Sequence, residues 1–283
     1  MDRRPRYLVE GFSPTDRATV KAESIQIKRI ILDQAKRAGV GHIGSALSIA
    51  DILVALYFGV LRIRDPQDPD RDRFVLSKGH AALALYGTLF LKGWLSEEDL
   101  NTYCADNSLL GVHPEHAVRG IDFSTGSLGY GLSIGAGAAL AARLQGSSRR
   151  VFVLLSDAEC NEGSVWEAIM FAGHHHLSNL TAIVDLNGQQ AFGYTRDVLH
   201  LTPLGEKWGV FGWNVREVDG HDVVAMAEVL NADCQAGSSP RVIIAQTVFG
   251  KGVSFMEGQI KWHYQPMSDS EYQAALNETM DDR

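Results

Sequence analysis

Short apolar runs alternate along the chain with segments whose apolar residues recur at helical spacing. One run covers residues 151–155 and a second covers residues 180–186. Between them, Val165, Ile169 and Ala172 recur at three- and four-residue steps. This pattern predicts a strand, a helix and a second strand. Because a helical crossover joins the two strands, we expect them to be parallel.

Two polar side chains follow these predicted strands at the point where each strand ends. Asp157 comes after the first strand, and Asn187 comes after the second. The carboxyl ends of parallel strands lie at one edge of a sheet, so we expect the two side chains to meet there. A carboxylate and a carboxamide suit a hard cation such as Mg²⁺ or Ca²⁺. Two protein oxygens are too few for such an ion, so we expect a diphosphate to supply further ligands.

The same alternation continues on both sides of this unit. It predicts one α/β domain over residues 24–283, with a doubly wound, mainly parallel sheet and helices on both faces, behind an N-terminal arm of residues 1–23. Further predicted elements are helices over residues 24–37 and 222–236 and strands over residues 213–218 and 241–248.

Two local patterns add detail to this prediction. Glycine and alanine dominate residues 131–142, which predicts a helix packed closely on all sides. A dinucleotide-binding fingerprint is excluded there, because Ile134 stands where the third glycine would be needed. A second helix is predicted after His42, where Ser48 and Asp51 have the spacing of a capping box.

Composition and charge exclude several classes of function. The chain has 283 residues and a formal net charge of −8, which argues against a nucleic-acid-binding surface. No apolar run approaches the roughly 18 residues of a membrane span, and the first residues lack the apolar core of a signal peptide. Cys104, Cys160 and Cys234 form no C-x-x-C pair, which fits a reducing compartment. We therefore expect a cytoplasmic protein without a membrane or nucleic-acid partner.

Two features near the central unit suggest chemistry but are better explained by structure. His174, His175 and His176 are consecutive on a predicted helix, so their side chains fan apart and do not converge on one zinc ion. Cys160 lies three residues from Asp157 but has no paired base, so we predict a small buried side chain.

The central unit resembles the thiamine-diphosphate signature of transketolases. Asp157 and Asn187 are 30 residues apart, and Glu162 with the following glycine lies between them, as in that signature. The resemblance implies that the side chains of Asp157 and Asn187 and the backbone carbonyl of Gln189 hold the metal. It also implies that Glu162 belongs to the cofactor-binding segment.

This signature departs from the family pattern in one place. Ser156 and Ala158 replace the two glycines that flank the family's aspartate. By the resemblance, the N–H of Ala158 approaches the diphosphate, and its methyl group crowds that approach.

Four histidines extend the resemblance. The family implies that His42 contacts the sugar, that His80 lies against the diphosphate and thiazolium, that His113 reaches the hydroxyl end of the donor, and that His263 contacts diphosphate and substrate. Without the resemblance, His42 would be interpreted as a surface histidine in a glycine-rich loop.

A tight turn at residues 125–129 resembles the family's Gly-x-Leu-Gly-x-Gly turn. In the family the backbone of this turn lies along the aminopyrimidine, which implies cofactor contacts at Gly126, Ser127 and Leu128. Tyr264 stands where a small residue is usual, which bears on how the substrate fits.

The resemblance covers residues 24–266 and implies the N-terminal subunit of a split transketolase. Such a subunit transfers a two-carbon ketol unit from a ketose or ketose phosphate to an aldehyde. The family's pyrimidine-binding and C-terminal domains are not found in the 283 residues, so we expect a second subunit to carry them. A heterotetramer with two copies of each chain is the expected assembly.

Three other functions remain open on the sequence alone. A related thiamine-diphosphate enzyme could act on a 2-oxo acid or load a two-carbon unit onto a carrier protein. A non-catalytic binding subunit is suggested by Ser156 and Ala158. The third alternative is an unrelated magnesium-dependent phosphotransferase.

Overall fold

The computed structural model describes residues 14–232 and 239–281. Cys234 and the predicted end of the helix over residues 222–236 lie outside this part of the chain. The described helices are α1 (Pro14–Ala38), α2 (Ile43–Ser48), α3 (Ala50–Val54), α4 (Ala82–Leu91), α5 (Glu97–Leu100), α6 (Gly131–Leu144), α7 (Gly163–His174), α8 (Thr195–Val198), α9 (Leu204–Val210), α10 (Val223–Asn231), α11 (Lys261–Tyr264) and α12 (Asp269–Asp281).

The strands form one parallel sheet and a short hairpin. They are β1 (Arg73–Leu76), β2 (Val151–Ser156), β3 (Leu180–Leu186), β4 (Gln189–Gln190), β5 (Gly193–Tyr194), β6 (Asn214–Asp219) and β7 (Arg241–Gln246). The sheet has the order β1-β2-β3-β7-β6, and each neighbouring pair is parallel. The antiparallel pair β4–β5 follows β3 directly. The predicted strands at residues 151–155 and 180–186 are confirmed.

Helices cover both faces of this sheet, as the sequence predicts for a doubly wound fold. Phe152, Leu154 and Ile183 point into one apolar core, which they share with α1, α3, α4 and α10. Val153 and Val184, which alternate with them along the strands, point into a second core shared with α6, α7 and α9. Burying each large apolar side chain contributes about 1.5–3 kcal/mol, so the two cores fix where the strand ends lie.

The first helices differ from the sequence prediction in their bounds. α1 begins at Pro14, ten residues before the predicted start at Ser24. The predicted single helix after His42 is divided into α2, α3 and a π-helical turn at Ala55–Val60, with Ile49 separating α2 from α3.

The predicted capping box at Ser48 and Asp51 is wrong. Ser48 is the last residue of α2, and its hydroxyl donates to the carbonyl of Ser45 and to Asp185. Asp51 is buried and accepts hydrogen bonds from Ser24 and His221. Tertiary contacts therefore use both polar groups that the spacing assigned to a cap.

Helix α6 packs on one face, whereas the sequence predicts close packing on all sides. Gly131, Gly135 and Ala139 are buried, but Gly137 is exposed. A Cβ atom added to Gly135 would lie 2.3 Å from Cγ2 of Val153 on β2, and one added to Gly137 would meet no atom within 4 Å. Gly135 thus allows close contact between helix and sheet, and Gly137 does not serve packing.

Strand β6 forms an edge of the sheet, and no described residue pairs with its outer side. Its burial alternates weakly, and Asn214, Arg216, Glu217 and Asp219 are exposed. By contrast, the other edge strand, β1, has three buried residues in succession. No helix within residues 14–232 and 239–281 is long and apolar enough to span a bilayer.

The two glycines of α6 provide a matched test of this packing. We expect Gly135→Ala to destabilise the protein by about 1–3 kcal/mol, because its methyl group would overlap Val153. We expect Gly137→Ala to stabilise it by about 0.5–1 kcal/mol, because alanine restricts the unfolded chain and meets open space. Urea unfolding of both variants measures this difference, and equal shifts would contradict the described packing of α6.

Candidate functional site

Asp157 lies at the carboxyl end of β2, beside the turn that follows β3. Its side chain is 3% exposed. Oδ1 accepts a hydrogen bond from the N–H of Ala158 at 2.9 Å, and Oδ2 accepts one from the N–H of Gly188 at 2.9 Å. The hydroxyl of Thr195 also donates to Oδ2, at 3.3 Å. The structure therefore brings Asp157 to the turn that contains Asn187, as the sequence predicts.

The charge of Asp157 is not balanced by these contacts. Burial, together with the nearby Asp185 carboxylate, raises the pKa of Asp157 to about 7. A cation placed at this carboxylate would favour its ionised form. A buried carboxylate with a raised pKa at the carboxyl edge of a parallel sheet is a suitable ligand for a divalent metal.

The other two predicted metal ligands lie in the turn and hairpin after β3. The amide nitrogen of Asn187 donates to Asp185 at 2.7 Å, and its Oδ1 accepts from the N–H of Gln189 at 2.9 Å. The side-chain amide of Gln189 donates to the carbonyl of Gly258 at 2.9 Å. Because the amide nitrogen of Asn187 binds Asp185, its side-chain oxygen points away from Asp185. An amide oxygen is the atom of this side chain that binds metals.

Asp185 forms a fully buried ion pair with Lys78. The two charged atoms are 2.5 Å apart, and both side chains are 0% exposed. Asp185 also accepts hydrogen bonds from Ser48 and Thr247. Burial alone would raise the pKa of Asp185, but the Lys78 ammonium and these donors hold the pKa below its ordinary value.

Sequence reasoning missed the Lys78–Asp185 pair. Asp185 interrupts an apolar strand, which is a signal that a buried charge needs a partner. Nothing in the pattern identifies Lys78 as that partner, because 107 residues separate the two.

Three of the four predicted histidines form one cluster. The ring centroids of His42, His80 and His263 lie 5.2–5.5 Å apart. His42 precedes α2 with φ of 62°, His80 lies in a 3-10 turn after β1, and His263 lies in α11. The N–H of His42 donates to the carbonyl of His263 at 3.1 Å, which ties two of these segments together. The fourth histidine, His113, lies against the turn at residues 125–129, with its ring beside Gly126.

The clustered histidines are neutral imidazoles. Burial lowers the pKa of His263 to about 4, with a further contribution from His42 and Lys78. Burial also lowers the pKa of His42 and takes that of His80 well below its ordinary value. The Nδ1 atoms of His42 and His263 are buried and have no hydrogen-bond partner among the described residues. Such atoms fit a polar ligand that binds among the rings.

The predicted turn at residues 125–129 lies beside the histidines. A Cβ atom added to Gly126 would be 3.3 Å from the ring of His113, so this glycine permits a close approach. Ser127 is exposed and Leu128 is half-buried.

The segment after β2 shows how the two substitutions in the family signature are accommodated. The hydroxyl of Ser156 accepts a hydrogen bond from the N–H of Glu159 at 3.1 Å, and Asp157 is the N-cap of the 3-10 turn at Ala158–Asn161. The N–H of Ala158 donates to Asp157. Glu162 is exposed and precedes α7 without forming a side-chain cap.

The alternative sites considered from the sequence remain outside this arrangement. Cys160 is buried, and burial raises the pKa of its thiol well above the ordinary value, which confirms the predicted buried side chain. α7 ends at His174, and the next two histidines lie in the turn beyond it. Across the described residues, no group of three or more His, Cys, Asp and Glu side chains is placed to hold a metal. The metal ligands expected here are Asp157, Asn187 and a backbone carbonyl. Only Asp157 is one of those four residue types, so the expected site would not form such a group.

Comparison with known proteins identifies the family. Residues 20–280 match the family described as "Transketolase, thiamine diphosphate binding domain". The chain is 39% identical over 255 residues to the 6-deoxy-6-sulfo-D-fructose transketolase subunit SqwG of Clostridium sp. (strain MSTE9), covering 89% of this chain and 93% of that protein. It is 40% identical over 271 residues to an apulose-4-phosphate transketolase subunit of Actinobacillus succinogenes, covering 94% of this chain and 97% of the relative.

Solved structures give the same result. The transketolase of Campylobacter jejuni superposes with a TM-score of 0.87 at 29% identity, and the match covers 93% of this chain. The present chain spans 43% of the length of that transketolase.

These findings confirm the predicted α/β fold and the predicted function as a transketolase-type transferase subunit, whose reaction is ketol transfer. Relatives named as subunits of transketolases also imply a second subunit. The chain belongs to the transketolase family and carries its thiamine diphosphate binding domain.

Proposed function

We propose that the chain holds the diphosphate and metal end of thiamine diphosphate at the carboxyl edge of β1, β2 and β3. The observation that carries this proposal is the buried carboxylate of Asp157, whose pKa is raised to about 7 beside the turn of Asn187. A divalent cation bound to a diphosphate would supply the positive charge that this carboxylate lacks.

The proposed metal ligands are the side chains of Asp157 and Asn187 and the backbone carbonyl of Gln189, and the ion is magnesium or calcium. Asp185 accepts a hydrogen bond from the amide nitrogen of Asn187, so the amide oxygen would be the atom that binds the metal. Ala158 follows Asp157 and is proposed to line the diphosphate, and Glu162, whose side chain lies beside Gly129, is proposed to belong to the cofactor-binding segment. Magnesium commonly combines a few protein oxygens with substrate phosphates, which fits this small ligand set.

The proposed role of His42, His80, His113 and His263 is to bind the diphosphate end and the sugar hydroxyls. A neutral imidazole can donate a hydrogen bond from one nitrogen and accept at the other. It can therefore hold a hydroxyl group and move its proton when the carbon skeleton is cleaved or joined. The unpartnered Nδ1 atoms of His42 and His263 support this role.

Two-carbon transfer needs chemistry that these residues do not supply. Thiamine diphosphate, when bound, provides the electron sink for it. We propose that a second subunit completes the cofactor site and that the complex is a cytoplasmic heterotetramer with two copies of each chain.

The named substrates of two relatives suggest a substrate class. One relative is named for a ketose with a sulfonate group and the other for a ketose phosphate. We propose that the donor of this enzyme is likewise a ketose that carries an anionic group away from its carbonyl.

The first test separates metal binding from folding at Asp157. We expect Asp157→Asn to weaken magnesium-dependent thiamine-diphosphate binding by more than about a hundredfold, because it removes the charged ligand. The raised pKa means that, without metal, Asp157 favours folding when protonated and loses this contribution as pH rises through about 7. Asp157→Asn removes this buried charge at pH 8 but turns an amide N–H toward one of its two backbone donors, so without metal its stability should stay within about 1–2 kcal/mol of the wild type. Calorimetric titration and urea unfolding measure the two effects, and unchanged cofactor affinity would remove Asp157 from the site.

A second test compares histidines inside and outside the cluster. We expect His80→Ala and His263→Ala to lower the turnover of the assembled enzyme by roughly 10² to 10³, as removal of one positioned hydrogen-bonding group does. His175→Ala, at the end of α7, serves as the control and should change turnover less than about twofold. Steady-state assays of ketol transfer give these values. Equal losses in all three variants would contradict the proposed placement of the active site.

A third test concerns the second subunit. We expect the purified chain alone to be inactive and to gain ketol-transfer activity when it is co-expressed with a chain that carries the pyrimidine-binding domain. Light scattering of the active complex should give the mass of two copies of each chain. Since the cofactor is proposed to contact both chains, adding it should also tighten the complex by mass action. Robust transfer by the isolated 283-residue chain would rule out the split arrangement.

A further inference from the structure

Glu159 is a buried carboxylate that the proposed chemistry does not use. It lies in the 3-10 turn after β2 and is 0% exposed. A fully buried acidic side chain is rare unless hydrogen bonds compensate the loss of water. Its hydrogen-bond partners therefore indicate why this position carries a carboxylate.

Each described hydrogen-bond partner of the Glu159 carboxylate is a donor. Oε1 accepts from the hydroxyl of Ser77 and, at 2.8 Å, from the N–H of Gly129. Oε2 accepts from the N–H of Ser156 at 3.4 Å. A carboxylate matches three donors, whereas the amide of glutamine would direct its own N–H groups at one of them. Glu159 thus joins the ends of β1 and β2 to the start of the segment before α6.

Gly129 is the last residue of the turn at residues 125–129. Its φ is +91°, so the chain adopts a left-handed conformation where Glu159 binds its N–H. The hydroxyl of Ser164, on α7, donates to the carbonyl of Gly129 at 2.9 Å. A Cβ atom at Gly129 would lie 2.5 Å from that hydroxyl, so the peptide is held closely on both sides.

The other end of the turn is fixed as well. The hydroxyl of Thr125 donates to the carbonyl of Leu76 at 2.6 Å, and the N–H of Thr125 donates to the carbonyl of Pro114 at 3.2 Å. Between the two fixed ends, residues 126–128 are half-buried or exposed. The turn is therefore anchored at both ends and open to a ligand in its middle.

The anchors of this turn differ from those of the metal end. Asp157 is bound by Ala158, Gly188 and Thr195, and Glu159 shares none of these partners. The two carboxylates therefore support two different parts of the site, although they are two residues apart.

We propose that Glu159 is a positioning residue, which fixes the turn at residues 125–129 against the aminopyrimidine side of the cofactor while Asp157 serves the diphosphate and metal. This inference rests on the proposed function and on the resemblance, which implies that the turn contacts the aminopyrimidine. Loss of Glu159 should weaken the contact to the ring system and leave the diphosphate end intact.

The test uses the complex of this chain with its second subunit and compares two ligands, thiamine diphosphate and inorganic pyrophosphate, each with magnesium, by calorimetry. In Glu159→Gln, affinity for thiamine diphosphate should fall about tenfold, while affinity for pyrophosphate should stay within about twofold. Ser77→Ala, which removes one donor to Glu159, should also lower the affinity for thiamine diphosphate relative to that for pyrophosphate, but by a smaller factor. This variant tests the proposal if Glu159→Gln does not fold.

A buried carboxylate at the amino ends of the strands, away from the site, provides the control. Asp72 is 1% exposed and pairs with Arg62 and Arg150 near the start of β1. Asp72→Asn should lower thermal stability without changing the ratio of affinities. An equal loss of both ligands in Glu159→Gln, or no loss of either, would overturn the positioning role. A wild-type complex with its second subunit that binds neither ligand would refute the proposed diphosphate site, and this inference with it.

Discussion

The ion pair between Lys78 and Asp185 is the contact on which the geometry of the site depends. Lys78 follows β1 and Asp185 lies near the end of β3, with β2 between these strands. Removing one partner of such a buried pair costs about 3–5 kcal/mol, because the other charge is left without compensation. The pair therefore ties the ends of β1 and β3 together across β2, at the edge where the predicted ligands lie.

The same two charges add to the effect of burial on the surrounding residues. Burial is the main cause of the raised pKa of Asp157 and of the lowered pKa of His80 and His263; Asp185 adds to the first shift and Lys78 to the other two. The histidines are therefore neutral, while Asp157 is poised between its two protonation states near neutral pH. An anionic ligand with a divalent cation would shift the pKa of all these groups at once. The contacts that fix the strand ends therefore also determine the charge of the side chains there.

The sequence predicts the centre of the sheet well because β2 and β3 are nearly continuous apolar runs. β2 and β3, and the meeting of Asp157 with the turn after β3, follow from that pattern and from the geometry of parallel strands. The contacts of Lys78 and Glu159 do not follow from it, because their partners lie far along the chain. Likewise, the spacing of Ser48 and Asp51 predicts a cap, but tertiary partners bind both side chains instead.

The residues of the candidate site are identified from the sequence more by their resemblance to the family's motifs than by the spacing of apolar residues. Nothing in the periodicity relates His42 to His263, which are brought together by the packing of α11 against α2. The motifs around His42 and His263 match those of the family, and the structure then gives the distance between the two rings and their burial. Local pattern predicts which elements form, whereas the pairing of distant loops requires the folded chain.

The open edge at β6 has a consequence for how this protein associates with other chains. An unpaired edge strand offers free N–H and carbonyl groups to any extended segment, and this is a common route to aggregation. On β6 the exposed side chains include Arg216, Glu217 and Asp219, so charge lies along that edge. A neighbouring strand would have to bury these charges or pair each of them. The charges therefore disfavour continuation of the sheet from one molecule into the next, and association through the faces and loops of the domain is favoured instead.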